Sequence, residues 1–281
     1  MPIISSDDGI LSYELHGEGQ GHSIPVVWIQ GVGVCGDGWR PQVERMGSPY
    51  AHLVFDNRGL GRSQPCRGEV SIPAMAEDVR RLMDAVGWES AHVVGHSMGG
   101  IISQEFALRF RTRVRSLSLL CTFPRGRDAA RPTPWVIWMT LRTRLGTRSM
   151  RRRAFLEMIL PPKDLEAGNT DLLALELSRY VGRDLADQPS ILLRQVRALA
   201  KHDTSHQLQE LGGIPTLVVS AELDPIAPPR YGRSLAQKIP GSRYEELPDV
   251  SHAVTLHRPE MVHASLTRFL ENSEVAWAAK P

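Results

Sequence analysis

Apolar positions in this chain follow two rhythms. Short, nearly continuous apolar runs at "ILSYELHG" (10–17), "IPVVWIQG" (24–31), "HLVFD" (52–56), "AHVVGHS" (91–97) and "VRSLSLLCTF" (114–123) read as strands, most of them buried on both faces. Between the third and fourth lies "SIPAMAEDVRRLMDAVG", where Met75, Val79, Leu82, Met83 and Val86 recur every three or four residues and Gly87 follows as a stop, so the spacing predicts an amphipathic helix. A second helix, "IISQEFALRF", begins just after Ser97. Strands alternating with helices predict an α/β fold: a mostly parallel central sheet flanked by helices, with right-handed crossovers.

The alternation breaks at Pro124. From there to Ser205 only helical segments appear, separated by prolines and polar turns: "PWVIWMTLRTRL", "RRRAFLEMIL", "DLLALELSRYV" and "PSILLRQVRALAKH". The sheet rhythm then resumes with the strand "IPTLVVSAELD" (214–224), the helix "PRYGRSLAQKIP", the strand "SRYEELP" (242–248) and the helix "RPEMVHASLTRFLE". This order predicts one core domain made of residues 1–123 and 206–281, with residues 124–205 inserted as a helical cap over it. Residues 272–281 read as a tail.

Composition narrows the class. The 281 residues are 42% hydrophobic and 23% charged, as in ordinary globular chains, and the formal net charge of +2 carries no nucleic-acid signature. The start "MPIISSDDGI" has no basic-then-apolar leader, and no run of apolar residues is long enough to span a bilayer, so a cytoplasmic protein without membrane or nucleic-acid partners is expected. Cys35, Cys66 and Cys121 are odd in number and form no C-x-x-C pair; buried or inert thiols are the expectation. His16, His22, His92, His202, His206, His257 and His263 make no metal-ligand spacing, so no metal is expected. The charge is unevenly placed, since residues 124–205, Arg131 among them, carry +6 and the remainder −4.

The chemistry-bearing stretch is "GHSMGG" (95–100), at a strand-to-helix junction. A serine hydroxyl needs a base to remove its proton, and the base needs a carboxylate to fix its tautomer. In an open parallel sheet such groups meet at the carboxyl ends of strands. Ser97 ends one expected strand, Asp224 ends another, and His252 follows a third in "DVSHAV". Gly95 and Gly99 leave room for a sharp turn at Ser97, and Met98 N–H heads the next helix, where an amide without a helical partner favours negative charge. Asp249, Asp187 and Asp203 are competing carboxylates, but none ends an expected parallel strand.

The pattern G-x-S-x-G, the chain order Ser–Asp–His, the loop "DNRGLGRS" (56–63) and the place of the helical insertion together resemble the α/β-hydrolase fold family, across nearly the whole chain from about residue 3 to 271. The resemblance implies a nucleophile elbow at Ser97, with Asp224 and His252 as its partners. It also implies a second oxyanion donor in "QGVG" (30–33), which maps to the amide of Val32; the chain carries Gln30 where many members have His. Within this frame His96 is a packing residue, Arg58 and Arg62 brace loops, Trp28 is core, and Cys35 is a buried or lining thiol.

A Ser at the nucleophile position speaks against the Asp-dependent dehalogenase and epoxide-hydrolase branches. It favours acyl transfer from a small-molecule ester or lactone to water, with no cofactor. Carbon–carbon bond hydrolases, cofactor-free haloperoxidases or perhydrolases, and a ligand-binding receptor that keeps its triad remain alternatives; Ala253 beside His252, where ring-cleavage hydrolases carry an aromatic, disfavours the first. Trp135 and Trp138 are candidates for an apolar substrate contact. Oligomeric state has no signature in the sequence.

Overall fold

A computed structural model describes residues 2–17, 23–129 and 133–279; His22 and Arg131 lie outside them. Eight strands form one sheet: β1 (Ile3–Ser6), β2 (Gly9–His16), β3 (Ile24–Ile29), β4 (Tyr50–Phe55), β5 (Ala91–His96), β6 (Val114–Leu120), β7 (Thr216–Ala221) and β8 (Arg243–Leu247). Their spatial order is β1-β2-β4-β3-β5-β6-β7-β8; β1 with β2 and β2 with β4 pair antiparallel, and all the remaining neighbours pair parallel. All residues of β4, β5 and β7 are buried, as their apolar runs require when helices cover both faces of a sheet.

After β3 the chain turns to one side of the sheet, to β4, and after β5 to the other. β3 and β5 are nevertheless adjacent, with Ile29 opposite Gly95. Their carboxyl ends therefore mark the topological switch point of the sheet, beyond which ligands bind in open α/β sheets. The loop after β3 and the turn after β5 flank it.

The helix expected from the period of Met75 and Val79 spans Ile72–Ala85, capped by the Ser71 hydroxyl, which accepts the Ala74 N–H. Between β6 and β7 the described residues form helices at Gly126–Ala129, Pro134–Arg142, Arg148–Ile159, Pro162–Ala167, Thr170–Val181 and Leu192–Lys201, and no strand. Leu156, Ile159, Leu160, Leu165, Ala174, Leu177, Val181 and Leu185 make an apolar cluster of this segment's own, joined by Ala253. None of the helices is long and apolar enough to cross a membrane, among the described residues.

Two details differ from the sequence reading. β1 was not anticipated: its four residues alternate exposed and half-buried on the sheet edge and have no apolar run to announce them. The closing helix runs Pro259–Ala278, so residues 272–278 are not a tail. Tertiary bonds hold the extension, since Glu274 bonds His92 Nε2 at 2.9 Å and accepts Arg115 Nη1 at 2.7 Å.

Candidate active site

Ser97 sits at the sharp turn between β5 and the helix Met98–Arg109, at φ 56° and ψ −119°. A non-glycine residue there costs of order 1–3 kcal/mol and persists only where its surroundings enforce it. The enforcement is visible. A Cβ on Gly95 would come within 2.3 Å of Gly99 O, and one on Gly99 within 2.0 Å of Ile29 O, so only glycine lets the elbow lie this close to β3. Thr122 Oγ1 donates to Ser97 O at 2.6 Å, pinning the turn from the end of β6.

Asp224 and His252 come from the loops after β7 and β8. Leu223 N donates to Val250 O at 2.9 Å and Ser251 Oγ to Leu223 O at 3.1 Å, which ties the two loops together. Asp224 is buried, and its Oδ1 accepts the amides of Ile226 and Ala227, both at 2.8 Å. Its Oδ2 lies 2.7 Å from His252 Nδ1, and His252 Nε2 lies 3.1 Å from Ser97 Oγ. A carboxylate at Nδ1 assigns the proton there, which leaves the Nε2 lone pair facing the serine hydroxyl. The competing carboxylates are engaged elsewhere: Asp249 with Lys163, Asp187 with Arg148, and Asp203 with the Ser205 amide.

His96 does not compete as base. Its Nε2 is 2.9 Å from the carbonyl of His252, and burial, reinforced by the neighbouring His252, pushes its pKa down to about 3. The neutral ring therefore donates to His252 O and fixes the backbone that carries the His252 imidazole. Cys121 is buried against Asp224, with its thiol raised well above the usual range by burial first and then by the carboxylate. Burial also pushes Cys35 up to about 12, so neither thiol is a nucleophile at neutral pH.

The loop after β3 borders the serine directly, for a Cβ on Gly31 would meet Ser97 Cβ at 3.0 Å. Gln30 Oε1 accepts Gly31 N–H at 3.1 Å, Asn57 Nδ2 donates to Gln30 O at 2.9 Å, and Asp56 Oδ1 accepts Gly36 N–H at 2.7 Å. The stretch "DNRGLGRS" thus braces this loop through Asp56 and Asn57. Arg58 braces the other side, in a two-pronged bond to Asp78 at 2.6 and 2.7 Å, while Arg62 is bound through its backbone amide to Asp56. The amides of Val32 and Met98 have no hydrogen-bond partner among the described residues. Two free donors beside a serine–histidine pair are the arrangement that stabilises an oxyanion.

Trp28 is core, its indole N–H bonded to His52 Nδ1 at 3.1 Å. Trp135 and Trp138 lie on helix 134–142, exposed at 37% and 59%, and Trp138 has Arg142 over its ring. Three neighbours of the site have no signature in the sequence: Thr122, and from the helical insertion Arg183 and Gln195, both bonded to Gly33. Only folding reveals such contacts, because Gln195 and Gly33 are 162 residues apart. Among the described residues no group of three His, Cys, Asp or Glu is arranged to hold a metal ion.

Comparison with known proteins agrees with this fold. The family model described as alpha/beta hydrolase fold matches residues 24–259. RutD of Azorhizobium caulinodans, provisionally named a carbamate hydrolase, is 31% identical over 269 residues, which cover 96% of this chain and 98% of that protein. Among solved structures, a hydrolase from Pseudomonas aeruginosa PA01 superposes with a TM-score of 0.80 at 25% identity, covering 96% of this chain and 97% of that one. The enol-lactonase from Burkholderia xenovorans LB400 superposes with a TM-score of 0.78 at 26% identity, covering 96% and 100%.

Proposed function

The chain belongs to the α/β-hydrolase fold family and is a hydrolase of that fold, and from this premise we propose that it cleaves a carboxylic ester or lactone of a small molecule through an acyl-enzyme on Ser97. The observation that carries the reading is the hydrogen-bonded series Asp224–His252–Ser97 lying beside two unpartnered amides. His252 Nε2 takes the Ser97 proton as Oγ attacks the carbonyl carbon. The carbonyl oxygen gains negative charge and is held by the N–H groups of Val32 and Met98; each such donor contributes about 3 kcal/mol to the transition state in comparable sites.

His252 then protonates the leaving oxygen, and the alcohol, or the ring-opened hydroxyl of a lactone, departs. Water repeats the sequence on the acyl-enzyme and restores Ser97. Asp224 keeps the imidazole in register and offsets the charge it carries between the two transfers. The mechanism uses no cofactor. The helical insertion acts as a cap that sets the pocket's shape, with Trp135 and Trp138 as apolar contacts for substrate at its edge. The same groups also act on a carbamate, whose carbonyl accepts the serine in the same way, and the name given to the Azorhizobium relative favours including that class.

A panel of aryl esters, lactones, carbamates and vinylogous diketones, run on the wild type and on Ser97→Ala, tests the reading. Ester, lactone or carbamate turnover that disappears in Ser97→Ala is expected, together with stoichiometric labelling of Ser97 by a fluorophosphonate. Turnover confined to the diketones would place the chain among carbon–carbon bond hydrolases. Substrate binding without turnover by an unlabelled Ser97 would make it a receptor.

A further inference from the structure

Resting on the reading of Val32 N–H as an oxyanion donor, we propose that Gln195 and Arg183 of the helical insertion are positioning residues for the oxyanion hole: they hold Gly33 by both its N–H and its C=O, so the hole is assembled only while the insertion is seated.

Gly33 N donates to Gln195 Oε1 at 2.9 Å, and Gly33 O accepts Arg183 Nη1 at 2.7 Å. A third bond lies two residues on, where Cys35 N donates to Val181 O at 3.3 Å. The core supports the two ends of the loop, through Gln30 and Asn57 at residues 30 and 31 and through Asp56 at Gly36. Between those ends, the backbone groups of residues 33 to 35 find partners outside the loop, among the described residues, in the insertion alone.

Gly33 sits at φ +68°, a conformation it adopts with no side chain of its own to fix it. The space a Cβ would fill is taken by Leu192 Cδ1 at 3.1 Å and Arg183 Nη2 at 3.5 Å, both from the insertion. The peptide joining Val32 to Gly33 is therefore held by the insertion, and only the φ and ψ of Val32 separate it from the peptide that carries the Val32 N–H.

Packing does not account for the polar ends of the two side chains, although the Arg183 guanidinium also lies over the Phe155 ring. Gln195 is fully buried, and its Nε2 has no hydrogen-bond partner among the described residues. A buried amide with one half unsatisfied is unfavourable beside an apolar residue of the same size unless its other half serves a purpose. Arg183 is half-buried, and loss of solvation pulls its pKa below the ordinary arginine value. It has no carboxylate partner among the described residues; it donates to two carbonyls, those of Gly33 and Asp187. Both residues commit a polar group to one glycine next to the Val32 amide.

The test compares Gln195→Met, which keeps length and removes the acceptor, with Gln195→Glu, which keeps an acceptor oxygen, alongside Arg183→Met. In Gln195→Met and Arg183→Met, kcat should fall about tenfold or more while KM stays within about twofold, because a misdirected donor is felt chiefly in the transition state. The inhibition constant of a trifluoromethyl ketone, whose adduct with Ser97 carries an oxyanion, should rise by the same factor as kcat/KM falls. Amide hydrogen exchange should quicken in residues 31–36 and stay unchanged at the elbow, 95–100. Gln195→Glu should restore most of the loss.

Wild-type kcat and wild-type exchange in both Met variants would overturn the proposal. So would losses accompanied by a lower melting temperature and not restored by Gln195→Glu, since they would make the pair merely structural. If Ser97→Ala retained wild-type turnover, the serine mechanism would fall by itself, and the exchange measurement would still decide whether the insertion orders this loop.

Discussion

At the scale of single residues, the site consists of side chains each given one task by its neighbours. Asp224 has one oxygen committed to two backbone amides and the other to His252 Nδ1, so it is held in place whether or not the imidazole is charged. Asp249, three residues before His252, is exposed and paired with Lys163. Asp224→Asn replaces an acceptor with a donor toward Nδ1 and favours the wrong tautomer; turnover should fall by about 10⁴-fold, whereas Asp249→Asn should change it by less than about threefold. Comparable losses in the two variants would mean the carboxylate has been misassigned. The meeting of Ser97, Asp224 and His252 was legible in the sequence because a serine between spaced glycines, an aspartate and a histidine each lay at or just past the end of an expected strand, and strand ends converge in space. Gln195, Arg183 and Thr122 were not legible. Their residue types are commonplace and their partners are backbone groups far away in sequence, so nothing local distinguishes them.

Strands and helices were legible to the extent that burial wrote itself into their pattern. β3 to β7 lie in the sheet interior and read as apolar runs, while β1, on the edge, does not. The last helix outran its own apolar period because bonds from Glu274 to β5 and β6, rather than propensity, carry it onward. One inter-strand contact makes the pairing of β3 with β4 sensitive to acid. The Trp28 indole N–H on β3 donates to His52 Nδ1 on β4, and burial lowers the His52 pKa to about 4. With an unfolded value near 6.5, the unfolded chain takes up the extra proton between these two values. Stability present above pH 6.5 is therefore lost as the pH falls toward 4, by about 3 kcal/mol from this group. Urea midpoints at pH 7 and pH 4.5 should differ less in His52→Gln than in the wild type. Equal differences in the two proteins would show that the His52 proton does not couple to folding.

Over the whole molecule the charge is divided, +6 on residues 124–205 and −4 on the rest. Many of the insertion's arginines are paired with carboxylates at short range, Arg125 with Asp128, Arg142 and Arg153 sharing Glu157, and Arg148 and Arg152 sharing Asp184. Arg194, Arg197 and Lys201 are exposed on helix 192–201 and have no carboxylate partner among the described residues. They line a cleft of about 470 Å³ shared with residues 69–73, and this cleft contains none of the triad. The same helix turns Gln195 toward the loop after β3. Ten residues of helix span only about 15 Å, so these cations lie within roughly one to two Debye lengths of that loop at 0.1 M salt. Their field should therefore draw acidic substrates toward the site at low ionic strength and fade as salt is added. For a carboxylate-bearing ester and its neutral analogue, the ratio of kcat/KM values should fall roughly two- to fivefold between 20 mM and 0.5 M salt. In a variant with Arg194, Arg197 and Lys201 all changed to Gln, that ratio should already be low at 20 mM and respond weakly to salt. A ratio that ignores salt in the wild type would leave the divided charge without a part in substrate choice.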